Sequence, residues 1–173
     1  MKKWIFSIVA VIMLVSCIAS AFAFTGNVGA DPSGGSCVAN LVQKDPITFI
    51  PVPDGYNAKV ILSCACSACP MRINIVGKAQ ANIQYSLIYY ADPWAGNHGG
   101  YQIATFRSDT KGYIRYAGQL RIWGAIPNPA DANYPTGGKL WIVPSTDYNP
   151  ATNSMIAWNP ANYILDTNLV KIP

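Results

Sequence analysis

The chain contains no glutamate: all eight of its acidic residues are aspartates, and His98 is its only histidine. Helices draw heavily on Ala, Leu, Glu and Lys. Here the supply is instead Tyr, Ile, Val, Thr and Trp among many Asn, Pro and Gly, which points to strands. Eight scattered aspartates give poor material for a paired-carboxylate glycosidase, because Asp109, Asp92, Asp131 and Asp147 sit where turns and caps explain them. No Gly-x-Ser-x-Gly elbow accompanies His98, and no loop has the calcium-binding EF-hand spacing. Basic residues are equally sparse. The formal charge is +4 and drops to +2 without Lys2 and Lys3, and the remaining Lys and Arg residues form no cluster, which excludes a nucleic-acid footprint. The sequence therefore offers no catalytic residue and calls for no cofactor.

What is abundant at the start is apolar surface. Lys2 and Lys3 precede a nearly unbroken apolar run from Trp4 to Phe24, and Ala21-Phe22-Ala23 gives a small-x-small cleavage pattern. Residues 1–23 are predicted to be a signal peptide. Two alternatives remain open: Leu14-Val15-Ser16-Cys17 fits a lipobox that would place a lipid on Cys17, and the run is long enough for an uncleaved membrane anchor. All three readings put the remainder outside the cytoplasm, secreted or held at the cell surface. Residues 24–36, "FTGNVGADPSGGS", read as a flexible Gly-rich leader, and residues 37–173 as one domain.

Period-two alternation recurs through that domain. Val60, Leu62, Cys64 and Cys66 share one face of a strand, as do Met71, Ile73 and Ile75 in the next. "IQYSLIYYA" (83–91) is apolar on both faces at its end, as a central strand is. Tyr101–Arg107 and Tyr113–Tyr116 flank "SDTKG", a hairpin turn with Gly112 where positive φ is commonly required. Asn or Asp followed by Pro recurs at positions 92, 128, 149 and 159 and reads as loop punctuation, each starting a single helical turn. Nine or ten short strands at this spacing predict an all-β domain, a two-sheet antiparallel β-sandwich.

Four cysteines survive signal cleavage: Cys37, Cys64, Cys66 and Cys69. In an exported domain an even count predicts two disulfides, pairing Cys37 with Cys64 or Cys66. The alternative is a four-thiolate site for zinc or copper(I) with the same ligands. A redox role for "CSAC" fits poorly, because Pro70 leads into another strand and not a helix N-terminus. Trp94, His98 and Trp158 lie in loops where a ring could stack on a sugar or anchor a protein contact, so they form the candidate binding surface. The expected function is a non-catalytic binding or assembly module at the cell surface, with a protein or polysaccharide partner. An extracytoplasmic metal-binding protein and a carbohydrate-binding module are the alternatives.

The stretches "YSLIYYADPWAGN" (85–97), "ATFRSDTKGYI" (104–114), "DANYPTGGKLWIVPSTDY" (131–148) and "WNPANYILDTNLV" (158–170) carry a resemblance. Through them the chain resembles a group of uncharacterised secreted proteins of archaea and bacteria. The resemblance covers about residues 40–172 and implies an immunoglobulin-like or transthyretin-like sandwich. It implies no activity or ligand. The cysteine segment departs from the pattern.

Overall fold

A computed structural model describes residues 36–63, 70–90, 100–120, 138–166 and 169–170. The fold is all-β. Ten strands run in chain order: β1 Ser36–Gln43, β2 Asn57–Ser63, β3 Met71–Lys78, β4 Gln84–Tyr90, β5 Tyr101–Arg107, β6 Tyr113–Leu120, β7 Lys139–Pro144, β8 Tyr148–Asn149, β9 Ser154–Met155 and β10 Ile164–Asp166. Single 3₁₀ turns at Ser145–Asp147 and Pro160–Asn162 complete the described elements.

Eight strands form one antiparallel sheet in the order β5-β4-β7-β10-β1-β2-β3-β6, and β8 pairs with β9 in a small second sheet. The large sheet curls until its end strands β5 and β6 approach each other, giving a nearly closed, barrel-like shape. The hydrogen bonding thus describes one wrapped sheet plus a ribbon, where the strand count suggested two facing sheets.

Alternation explains the interior. Cys37, Ala39 and Leu41 of β1, Val60 and Leu62 of β2, and Ile73 and Ile75 of β3 all point inward and are buried, as are Leu87, Ile114 and Ile142 farther round. Each fully buried Ile or Leu stabilises the fold by roughly 1.5–3 kcal/mol relative to exposure. β4 is buried on both faces, as its doubly apolar sequence required. Its outward Ile88 packs with Val143, Tyr148, Tyr163 and Leu165 into a second core under the 144–163 segment. That segment, including β8 and β9, roofs the outer face of β4, β7 and β10.

The turn expected at 108–112 is present, with Gly112 at φ +83°. Asp109 Oδ1 accepts hydrogen bonds from the backbone N–H of Lys111 and Tyr113, both at 2.8 Å. The flanking strands do not form a continuous hairpin ladder, however. β5 pairs with β4 and β6 with β3, so the turn joins the two ends of the sheet. The β3–β4 connection helps to hold the ends together: Ala79 N–H donates to Gly112 O and Asn82 N–H to Asp109 O. A bulge opposite Leu87 and Ile88, where Ile103 is the extra residue, bends β5 as a closing sheet requires.

Elsewhere the expected punctuation takes concrete form. β1 ends at Gln43, and only an isolated bridge between Lys44 and Pro51 continues it. Asn159-Pro160-Ala161 opens a 3₁₀ turn, and Asn149 Oδ1 accepts the Ala151 N–H at 2.9 Å. Among the described residues no helix is long and apolar enough to cross a membrane. Residues 1–35, which hold the expected signal peptide, Cys17 and all but the last residue of the leader, lie outside the described residues.

Candidate functional site

Strand register sorts the chain's features to two ends of the sheet. At one end β1 begins and β2 finishes, with Ser36 opposite Ser63, and Met71 of β3 stands opposite Leu120 of β6. Tyr90 stands opposite Lys139 at the same end. The segments carrying Cys64, Cys66 and Cys69, and Trp94 and His98, depart from these strand ends and lie outside the described residues. Cys37 is described: it faces the main core opposite Leu62, 1% exposed, and carries a free thiol. Burial pushes that thiol up to about 11. No disulfide and no cluster of three metal-ligating side chains occurs among the described residues.

The opposite end is described in full and carries two features. The first is a finger, residues 44–55, between β1 and β2. Asp45 organises it: its Oδ1 accepts from the N–H of Ile47 (3.0 Å), the N–H of Thr48 (2.7 Å) and the Thr48 hydroxyl (2.9 Å). Those donors, the Thr48 N–H foremost, hold the Asp45 carboxyl below the usual range. Phe49 N–H donates to Asp45 O, Asp45 N–H to Ile50 O, and Val52 N–H to Gln43 O, while Gln43 Oε1 accepts from the N–H of Tyr56. The backbone is thus tightly tied, yet its apolar side chains face water: Ile47 is 86% exposed, Ile50 63%, Phe49 46% and Val52 37%. Phe49 and Asp54 hold positive φ, +55° and +56°. The available sequence signal was an Asp-Pro-x-Thr cap placed ahead of four apolar residues that no strand face absorbs.

The second feature is an open cleft of about 510 Å³ at the same end of the sheet. Its walls are the 80–84 turn, Arg107 at the end of β5, the 144–147 segment and Asn162. Gln80 Nε2 donates to Asn162 Oδ1 at 3.0 Å, bridging two walls. Ser108 Oγ fixes the turn by donating to Gln80 O (2.5 Å) and accepting from Ile83 N–H (3.1 Å). Behind the cleft Ser86, fully buried, links Gln102 and Ser145 through its hydroxyl. Asp147, 6% exposed, forms the inner wall. Its carboxylate is occupied by the Tyr163 hydroxyl (3.0 Å), Asn159 Nδ2 (3.1 Å) and the Thr146 hydroxyl (3.2 Å).

Trp158, the one candidate surface ring that is described, is 53% exposed. It packs 5.6 Å from Trp141 at 45° and 5.6 Å from Tyr163 nearly edge-on. Tyr90 continues the group at 4.1 Å from Trp141. The rings are mutually tilted, with Trp141 and Tyr163 belonging to the second core and Trp158 half exposed at its edge. The Tyr163 hydroxyl is held strongly protonated, chiefly by burial and also by Asp147.

No protein-family model matches the chain, and no curated protein or solved structure matches it significantly. What the molecule defines is a class: an all-β domain that displays a hydrogen-bonded apolar finger and a polar cleft at one end of its sheet.

Proposed function

We propose that the protein is an extracytoplasmic, non-catalytic binding module that docks onto another cell-surface protein through its 44–55 finger. The observation that carries this reading is the exposure of Ile47, Phe49, Ile50 and Val52 on a hydrogen-bonded loop. A left-handed conformation costs a non-glycine residue roughly 1–3 kcal/mol, and Phe49 holds one while leaving its ring half in water. The finger's apolar side chains join neither core, whereas a partner gains a pre-organised apolar wedge. Asp45 and Asp54 flank the tip. Two carboxylates disfavour contact with anionic lipid headgroups and favour an apolar pocket rimmed by basic side chains, which is a protein surface.

The same reading includes export by cleavage after Ala23, and a wrapped sheet related to immunoglobulin-like or transthyretin-like sandwiches of secreted proteins. Although the Cys37 thiol is free in this structure, the reading includes a two-disulfide framework of Cys37, Cys64, Cys66 and Cys69 in the exported protein. Intact mass before and after alkylation counts the free thiols and locates the mature N-terminus.

A photo-reactive residue at position 47 tests the finger on native cells, with the exposed Val76 of β3 as the control position. A discrete adduct with one identified protein from position 47 supports the proposal, provided Ile50→Asp removes it and position 76 gives none. Adducts with lipid, with a second copy of the chain, or equally from both positions overturn it.

A further inference from the structure

We propose that the cleft formed by the 80–84 turn, Arg107, the 144–147 segment and Asn162 binds a carboxylated sugar, the uronate unit of an acidic polysaccharide. The inference stands apart from the finger and its protein partner. It starts from which polar groups are already engaged. Gln80 Nε2 and Asn162 Oδ1 engage each other, and the Asp147 carboxylate is filled by its own donors. The side chains of Asn82, Gln84 and Arg107 line the same cleft with no hydrogen bond or ion pair among the described residues.

Their chemistry defines a ligand. A free guanidinium offers a planar fork that matches a carboxylate bidentately. The two free amides each present a donor and an acceptor, which is what neighbouring hydroxyls on a sugar ring require. Gln84 and Arg107 are directly opposed across the β4–β5 ladder, so their side chains leave the sheet at adjacent points. Asn82 approaches from the turn, where it holds φ +61°. Ile83 and Pro144 give apolar patches suited to the C–H faces of a pyranose. The volume falls within the range of sites for small ligands.

Competing ligands fit less well. No aromatic ring lines the cleft, so a nucleobase would have nothing to stack on. A divalent cation would find one carboxylate, already shared among three donors.

Titration calorimetry of the purified protein with trigalacturonate, galactotriose and inorganic phosphate tests the assignment at low ionic strength. Trigalacturonate is expected to bind saturably and about tenfold or more tightly than galactotriose, with affinity falling as salt is raised. Arg107→Gln is expected to remove that preference, and Asn82→Ala to weaken both sugars severalfold. Ile47→Asp, in the finger and outside the cleft lining, is expected to leave binding unchanged, which separates this site from the finger. All three residues are exposed, so an unchanged thermal midpoint establishes that the variants are folded. Absence of trigalacturonate binding, equal affinity for the neutral trimer, displacement by phosphate at equal concentration, or indifference to Arg107→Gln overturns the proposal.

Discussion

The Tyr163 hydroxyl lies 3.0 Å from Asp147 Oδ2 and accepts the Asn159 N–H at 2.8 Å, so one phenol ties the roof segment to the second core. Tyr163 is fully buried, and the rings of Trp141 and Trp158 pack around it. Removing the hydroxyl leaves the Asn159 N–H without its acceptor and takes one donor from a buried carboxylate. Tyr163→Phe is expected to lower unfolding free energy by about 1–3 kcal/mol, measured by urea denaturation. Tyr113→Phe, on an exposed ring, is the control, and a change there of within about 0.5 kcal/mol is expected. Equal effects of the two substitutions would sink the claim that Tyr163 ties the roof down.

Gly112 is the point at which the two ends of the sheet are joined. It holds φ +83°, and a Cβ there would collide with the carbonyl oxygen of Ala79 on the β3–β4 connection. Gly112→Ala is therefore expected to cost more than the ~1 kcal/mol of a compatible glycine replacement. Hydrogen exchange is expected to rise at Ala79 and Asn82, whose N–H groups bond to this turn. A variant as stable as the parent, with unchanged protection at both amides, would show that the clasp does not depend on this glycine.

Asp45 and Asp109 are each held below the ordinary carboxylate range, Asp45 chiefly by the Thr48 N–H and Asp109 chiefly by the Tyr113 N–H. A folded-state pKa lower than the unfolded value means that the unfolded chain binds more protons in the window between them. The stabilisation is present above the unfolded value of about 3.9 and is lost as pH falls through the folded value. Thermal midpoints recorded across that acid limb are expected to fall less steeply for Asp45→Asn,Asp109→Asn than for the parent. An unaltered limb would assign acid sensitivity to other groups.

Cys37 faces the main core with its thiol pushed up to about 11 by burial, so very little thiolate exists at neutral pH. In the reduced protein, with Cys64, Cys66 and Cys69 replaced by serine, Cys37 is expected to resist a thiol reagent at pH 8 and to react at once in denaturant. Equal rates in both conditions would place the thiol outside the core.

Much of the strand pattern was legible because a half-buried strand must alternate. Ala58 to Leu62 and Met71 to Ile75 revealed their inner faces, and the double-sided run at Leu87–Tyr90 revealed a central strand. Gly112 was legible too, since only a few residues tolerate positive φ. The partner of each strand was not legible. "SDTKG" specifies a turn, but nothing within 101–116 says that β5 and β6 will each find their ladder elsewhere.

The sites divide in the same way. Trp158 was conspicuous as a loop tryptophan, yet its tilt against Trp141 and Tyr163 follows from the packing of three separated segments. Arg107, Gln84 and Asn82 carry no motif, and they converge because β4 and β5 pair in one register and a turn folds over them.

By itself the sequence determined the class of secondary structure, the inward faces of β2 and β3, the doubly buried character of β4, the turn glycine and the lack of helical material, because each depends on neighbours a few residues apart. Tertiary structure alone decided that the sheet wraps until β5 meets β6, that Asp147 is enclosed by Tyr163 and Asn159, and that an apolar finger and a polar cleft share one end of the sheet. Those outcomes rest on pairing between residues distant in the chain, and local alternation carries no record of which distant strand will satisfy a given edge.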